Sequence, residues 1–265
     1  MSIQKFSFTT AIAIVIANMI GTGVFTSLGF QLLDIQSTFV LMMLWLIGGV
    51  TALCGALTYA ELGARLPRSG GEYNFLTEIY HPGAGFISGW ISATVGFAAP
   101  TALAAMTFGA YLEASLPGLS STVMASILVI ALTTVHAYSR VASGGIQAVF
   151  TIIKVILVLV FVAMVAMAVE SPQAVRLLPA EGDGTLMLSS AFAVSLIYVN
   201  YAFTGWNAAT YIISEVEDSQ KNIPLVLFVG TVTVLLLYLM LNYTFLYAAP
   251  MRAMEGKLEI GVIVA

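Results

Sequence analysis

Three features of the 265-residue sequence predict an all-α polytopic membrane protein with two halves that repeat a pattern. Hydrophobic residues make up 60% of the chain and charged residues only 8%, where a soluble domain carries about 25% charged residues. Mean hydropathy is +0.99. The apolar residues gather into seven runs, each near or above the roughly 20 residues a helix needs to cross a bilayer. The first and sixth of these runs are interrupted near their middles by small and polar residues.

The first run covers about 6–30 and follows Lys5. It is too long for a signal-peptide core and lacks a small-x-small cleavage site, so it reads as a span. The second covers about 38–60 and the third about 84–112, where Pro100 predicts a kink. Further runs lie at about 121–137, 145–169, 186–213 and 224–248. Pro224 fits the first turn of the seventh span, where its missing N–H costs nothing. After Pro250 and the charged stretch Arg252 to Glu259, Ile260 to Ala265 reads as the opening of an eighth span. The sequence therefore reads as a fragment of a longer chain. Lys5, Arg65, Arg68, Arg140 and Lys221 fall on one side of the membrane, and Arg176, Arg252 and Lys257 on the other. The excess in short loops predicts a cytoplasmic N-terminus.

Composition narrows the function classes. The net charge of −4 gives no footprint for nucleic acid. The single cysteine, Cys54, excludes an internal disulfide framework and a CxxC site. His81 and His136 sit near span ends with no ligand-spaced partners, so no metal or cofactor is expected. An intramembrane enzyme would need converging titratable groups inside the spans, and a channel would show pore loops or charge rings. Neither pattern is present in the sequence.

The first interruption is Asn18-Met19-Ile20-Gly21-Thr22-Gly23-Val24-Phe25. Glycine is about 1 kcal/mol worse than alanine in a helix, and a helix break in lipid is tolerated only against protein or a polar cavity. Close helix packing and a polar binding site both remain open from this stretch alone. The sixth run carries Asn200-Tyr201-Ala202-Phe203-Thr204-Gly205-Trp206-Asn207. Two interrupted spans five apart match inverted repeats with a midplane site between broken helices. Half-helix N-termini would attract a carboxylate, and half-helix C-termini an ammonium, so an amino acid fits. The one charge deep inside a span is Lys154. Lysine at a helix centre costs about 2.5–3.5 kcal/mol on the insertion scale, which calls for a partner or a task. Pinning to backbone carbonyls of a broken helix and a functional role are both open.

Gly21-Thr22-Gly23-Val24-Phe25, followed by Tyr59-Ala60-Glu61-Leu62-Gly63-Ala64-Arg65-Leu66-Pro67-Arg68-Ser69-Gly70-Gly71-Glu72-Tyr73, resembles the amino acid–polyamine–organocation superfamily of permeases. Tyr201 to Asn207 and Lys221-Asn222-Ile223-Pro224 are similar to its sixth span and 6–7 loop. The resemblance covers essentially the whole chain and is closest to the amino acid permeases and L-type exchangers. It implies a LeuT-like inverted-repeat transporter fold, with residues 1–169 as the complete first repeat and 170–265 as a partial second repeat.

By position, the resemblance implies that Asn18, Met19, Gly21, Thr22 and Gly23 bind the amino acid backbone. Tyr201 would close over the substrate as a gate, and Phe203, Thr204 and Gly205 would line the side-chain pocket. Lys154 matches a fifth-span lysine that mimics a cation or relays a proton. Trp206 and Asn207 would be structural, and Glu61, Arg65 and Arg68 would belong to the cytoplasmic gate and loop. None of the pocket stretches carries an acidic residue or an arginine, so a neutral amino acid is expected. Facilitated uptake, proton symport and exchange all stay open, in a multi-pass protein of the cell membrane. Pro117-Gly118-Leu119-Ser120 has no cysteine, so no disulfide-linked partner subunit is expected. The eighth span that helps close the family's site is missing apart from a first turn. A non-transporting scaffold, or a fragment needing the missing spans, is the alternative.

Overall fold

The computed structural model describes residues 5–116, 118–138, 140–257 and 260–264. Pro117, part of the stretch expected between spans 3 and 4, lies outside them. Span 1 is two helices, α1 (Phe8–Met19) and α2 (Gly23–Gln31), and span 2 is α3 (Thr38–Arg65). A short α4 (Glu72–Ile79) leads into span 3, made of α5 (Pro82–Ile91), a π-helical segment (Ser92–Phe97) and α6 (Ala98–Ser115). Spans 4 and 5 are α7 (Ser121–Tyr138) and α8 (Arg140–Ala168). After the short α9 (Asp183–Met187), span 6 runs as α10 (Ser190–Ala202) and a 3₁₀-helix (Ala208–Glu215). Span 7 is α11 (Ser219–Ala248), followed by α12 (Met251–Met254) and α13 (Ile260–Val264). Among the described residues, five helices are long and apolar enough to cross a membrane, and two shorter apolar helices lie in spans 4 and 6.

Local chemistry accounts for many of the boundaries. The Ser7, Ser37 and Ser189 side chains accept from the N–H groups of Thr10, Val40 and Phe192, capping α1, α3 and α10. His81 caps α5 through Nδ1, which accepts from Gly83 N–H at 3.0 Å, ahead of Pro82 at the first helical position. Pro100 acts through a change of register. The π-helical segment Ser92–Phe97 runs directly into α6, whose third residue is Pro100, and such a segment is one way a continuous helix accommodates a proline. Pro224 departs from expectation. Span 7 begins at Ser219, with Asp218 at φ 44° before it, so the proline lies inside the helix rather than in its first turn.

The structure divides into a packed bundle and a looser hairpin. α3 and α11 make the most extensive contact, and α1, α2 and α10 pack around them. About half of the apolar stretches of spans 2 and 7 is buried, against 17% for span 5, and among the described residues span 3 buries only Gly85, Ala105 and Gly109. Spans 3 and 4 pack mainly on each other through α6 and α7, and α8 lies on α1 and α11. Small residues bring the bundle helices close. A Cβ at Gly48 or Gly49 would collide with Val199 of span 6 or Leu235 of span 7.

Candidate functional site

Both interruptions are real breaks in helix. α1 ends at Met19, with Ile20 extended at φ −75° and ψ 96°, and α2 begins at Gly23 without a side-chain cap. Among the described residues, the N–H groups of Thr22, Gly23 and Val24 have no backbone acceptor, while Phe25 N–H turns back to Thr22 O at 3.0 Å. In span 6, α10 ends at Ala202, and residues 203–207 form a turn before the 3₁₀-helix. Gly205 stands in this turn at φ +106°, a backbone conformation that glycine adopts without steric cost.

The two breaks are seated in each other. A Cβ on Gly23 would lie 3.1 Å from Ala202 Cα, the end of span 6's first helix. A Cβ on Gly205 would lie 2.7 Å from the Asn18 carbonyl, near the end of span 1's first helix. Each break supplies the glycine that admits the other's stump. Gly21 differs, since a Cβ there would meet nothing within 4 Å. Packing therefore explains Gly23 and Gly205 but not Gly21.

Side chains from spans 5 and 7 reach the carbonyls left at the end of α1. The Lys154 ammonium donates to Ile20 O at 3.0 Å and Ala17 O at 3.2 Å, a cation at a helix C-terminus where the dipole favours it. The Tyr238 hydroxyl lies 2.6 Å from Met19 O and 3.0 Å from Ala202 O. Its ring packs against Phe203 at 4.9 Å and Trp45 at 5.6 Å between centroids.

On the other side of the breaks, a cleft of about 440 Å³ lies between α2 and α10. Thr22, Gly23, Thr26 and Phe30 line one wall, and Tyr198 and Tyr201 the other. Tyr198 stacks on Phe30 with centroids 5.8 Å apart. Of the residues singled out from sequence, Thr22, Gly23 and Tyr201 thus share one cavity. Phe203 is fully buried and turned toward Trp45 and Tyr238. Met19 is buried beside them. Asn18 and Thr204 are exposed, with Asn18 Nδ2 donating to Ile14 O and the Thr204 hydroxyl to Tyr201 O.

A second cluster holds the later half of span 6. The Glu72 carboxylate accepts from Asn207 Nδ2 and, at 2.6 Å, from the Tyr211 hydroxyl. Tyr59 of span 2 faces the same carboxylate, with the Trp206 ring 4.9 Å from its own. Gly71 N–H donates to Thr210 O at 3.2 Å, and Ser69 bonds both the side chain and the N–H of Ser214. Phe6 adds two backbone hydrogen bonds, to Glu215 O and from Glu217 N–H. Glu61 pairs with Arg65 at 2.6 Å and Arg68 with Glu78 at 3.2 Å, away from this network. Sequence reading gave no role to Tyr238 or Glu72, nor to Thr26, Phe30, Tyr198 and Tyr211. Glu72 could have been found, since a carboxylate directly after a Gly-Gly turn asks for a partner.

Comparison with known proteins agrees with this architecture. The chain is 28% identical over 253 residues to the Asc-type amino acid transporter 1 of Mus musculus and to the large neutral amino acids transporter small subunit 2 of Rattus norvegicus. It is 29% identical over 255 residues to the b(0,+)-type amino acid transporter 1 of Mus musculus. Each alignment takes in 92% of this chain but 48%, 48% and 51% of those relatives, so the chain spans about half their length. The family model described as amino acid permease matches residues 6–265. With two broken spans, multi-pass apolar helices and that match, the chain belongs to the amino acid permease family.

Proposed function

We propose that this chain belongs to a secondary active transporter that moves amino acids, neutral ones first, across the membrane by alternating access. The substrate would sit between broken spans 1 and 6. The observation that carries this reading is the pair of N–H groups of Thr22 and Gly23, without a backbone acceptor among the described residues, on the wall of a cleft faced by Tyr201. N–H groups at a helix start attract a carboxylate, and open space at Gly21 lets a ligand approach the backbone. Neutral substrates are supported by the lack of a charged side chain among the cleft's lining residues and by the name of the large neutral amino acids transporter relative.

Residues 1–169 form the first repeat in this reading, and 170–265 open the second. The N-terminus is cytoplasmic, which makes α2 and α10 the outer halves of their spans. The cleft then faces outward while the Glu72 cluster closes the inner side. Tyr201 serves as the outer gate, and Lys154 as the fixed cation or proton carrier at the first break.

The test is uptake of radiolabelled leucine by the purified protein in proteoliposomes, with lysine and glutamate as competitors. Leucine accumulation above empty vesicles, competed poorly by lysine and glutamate, is expected. Tyr201→Ala lowers uptake with membrane insertion unchanged. Binding of leucine without flux would keep the site and discard transport. Absence of both would discard the reading.

A further inference from the structure

We infer that the stacked rings of Phe30 and Tyr198 are a size filter at the end of the cleft between α2 and α10, passing branched aliphatic side chains and holding back large aromatic ones. The inference rests on the transport reading above. Gly23, Thr26, Ser27 and Phe30 are spaced i, i+3, i+4, i+7 along α2, so they form one face of that helix. Side chains grow along this face. Gly23 at the break has none, and the Phe30 ring stands two turns away, about 10.5 Å at 1.5 Å per residue. On the opposite wall, Tyr201 is near the break and Tyr198 one turn farther from it. The cleft therefore has bare backbone at one end and is bridged at the other, where the Phe30 and Tyr198 rings meet 5.8 Å apart at 17°.

The chemistry changes along the same line. At the break, the Thr22 and Gly23 N–H groups suit a carboxylate. One turn on, the hydroxyls of Thr26 and Ser27 turn back to their own helix, donating to Thr22 O at 3.2 Å and Gly23 O at 2.6 Å. Their protons are spent there, and no charged side chain lines the cleft, so this middle stretch suits an apolar side chain. An amino acid whose carboxylate rests on the N–H pair runs its side chain along it toward the rings. A leucine side chain ends short of them, whereas an indole reaches them and must part a stacked pair. Phe30 is 38% and Tyr198 42% exposed, which leaves both rings room to part. Parting an aromatic pair costs about two- to tenfold in binding.

Unlabelled leucine and tryptophan are titrated against radiolabelled leucine uptake in proteoliposomes. The ratio of their half-inhibiting concentrations is compared for wild type, Phe30→Ala, Tyr198→Ala and Tyr198→Phe. Wild type is expected to need up to about tenfold more tryptophan than leucine, and either alanine variant to lower that ratio about two- to tenfold. Tyr198→Phe keeps the ring and leaves the ratio unchanged; a shift there would assign selection to the hydroxyl and overturn the ring filter. A clasp that merely held α2 on α10 would lower the amount of protein, or Vmax for every substrate alike, and leave the ratio in place. That outcome overturns the inference, as does a wild type that takes tryptophan as readily as leucine. Should an alanine variant fail to accumulate, Phe30→Leu and Tyr198→Leu keep apolar bulk and remove the stack. The ratio should fall in both, and an unchanged one overturns the inference. If the wild type takes up no leucine, both this inference and the transport reading fall. If it does and the variants keep its ratio, this inference falls alone.

Discussion

Span 1 restarts after its break as an α-helix, and the carbonyls of its first stump are held by single side chains from distant spans, Lys154 and Tyr238. Span 6 restarts as a 3₁₀-helix and is held along that segment by loop contacts, from Glu72 on Asn207 and Tyr211 to Phe6 on Glu215 and Glu217. The breaks themselves are made by the same means, small residues and a glycine that receives the other's helix end. What differs is the restraint on the half that follows. The later half of span 1 is held by packing, such as Phe30 on Tyr198, and near its far end by hydrogen bonds from Trp45 Nε1 to Gln31 Oε1 and from Gly256 N–H to Gly29 O. The later half of span 6 is held by hydrogen bonds that a few substitutions can remove. A break is a backbone property, whereas its freedom to move is set by its neighbours.

The hardest blow to the shared part of this design is Gly205→Ala, which meets both a positive φ and the Asn18 carbonyl. It should destabilise the protein by about 2 kcal/mol or more, read as a drop of about 5 °C in melting temperature in detergent. A melting temperature equal to wild type would show that the breaks are not seated in each other. Lys154→Gln removes the cation from Ala17 O and Ile20 O. Uptake should fall about tenfold or more, the size of a hydrogen bond to a charged group, and the pH profile of uptake should flatten or shift. Retention of both rate and profile would reduce Lys154 to a helix cap.

Glu72→Ala acts on span 6 alone. Losing the carboxylate costs about 1.5–3 kcal/mol of local stability, so amide hydrogen exchange across 208–215 should speed up while exchange across 23–31 stays constant. Equal acceleration in both segments would erase the contrast between the two restraints. Gly21→Ala should leave the melting temperature within about 1 °C, because open space surrounds it, yet raise the leucine KM severalfold. Unchanged uptake would take the ligand away from Gly21.

The smallest effect concerns the approach to span 6. The Ala180 N–H, then the Ser37 hydroxyl and Arg176, hold the Asp183 carboxyl below its ordinary value of 3.8. The stability it contributes is complete above that value and is lost as pH falls through the depressed one. Melting curves of the wild type should therefore decline on acidification below about pH 4, and Asp183→Asn should lack that part of the decline.

Much of this was legible in the residues. Gly21-Thr22-Gly23 and Thr204-Gly205 sit where lipid-facing helix would carry leucine, and a lone Lys154 in an apolar run announced a partner. The different duties of Gly21 and Gly23 were not legible, because one faces open space and the other a helix end that comes 179 positions later, from 23 to 202. Tyr238 was hidden for the same reason. A tyrosine in an apolar span looks like packing until Met19 O and Ala202 O are seen beside its hydroxyl. Pro224 misled because proline at the first turn is the common case, whereas here the helix had already begun at Ser219.

The mutual seating of Gly23 on Ala202 and Gly205 on Asn18 has a kinematic consequence. Two joints that each carry the other's end do not have two independent hinges. Lifting α10 off Gly23 and shifting the Gly205 turn over Asn18 disturb contacts between the same two spans, so a movement at one joint is expected to load the other. The coupling of the two breaks therefore needs no side chain between them: it lies in the backbone contacts themselves.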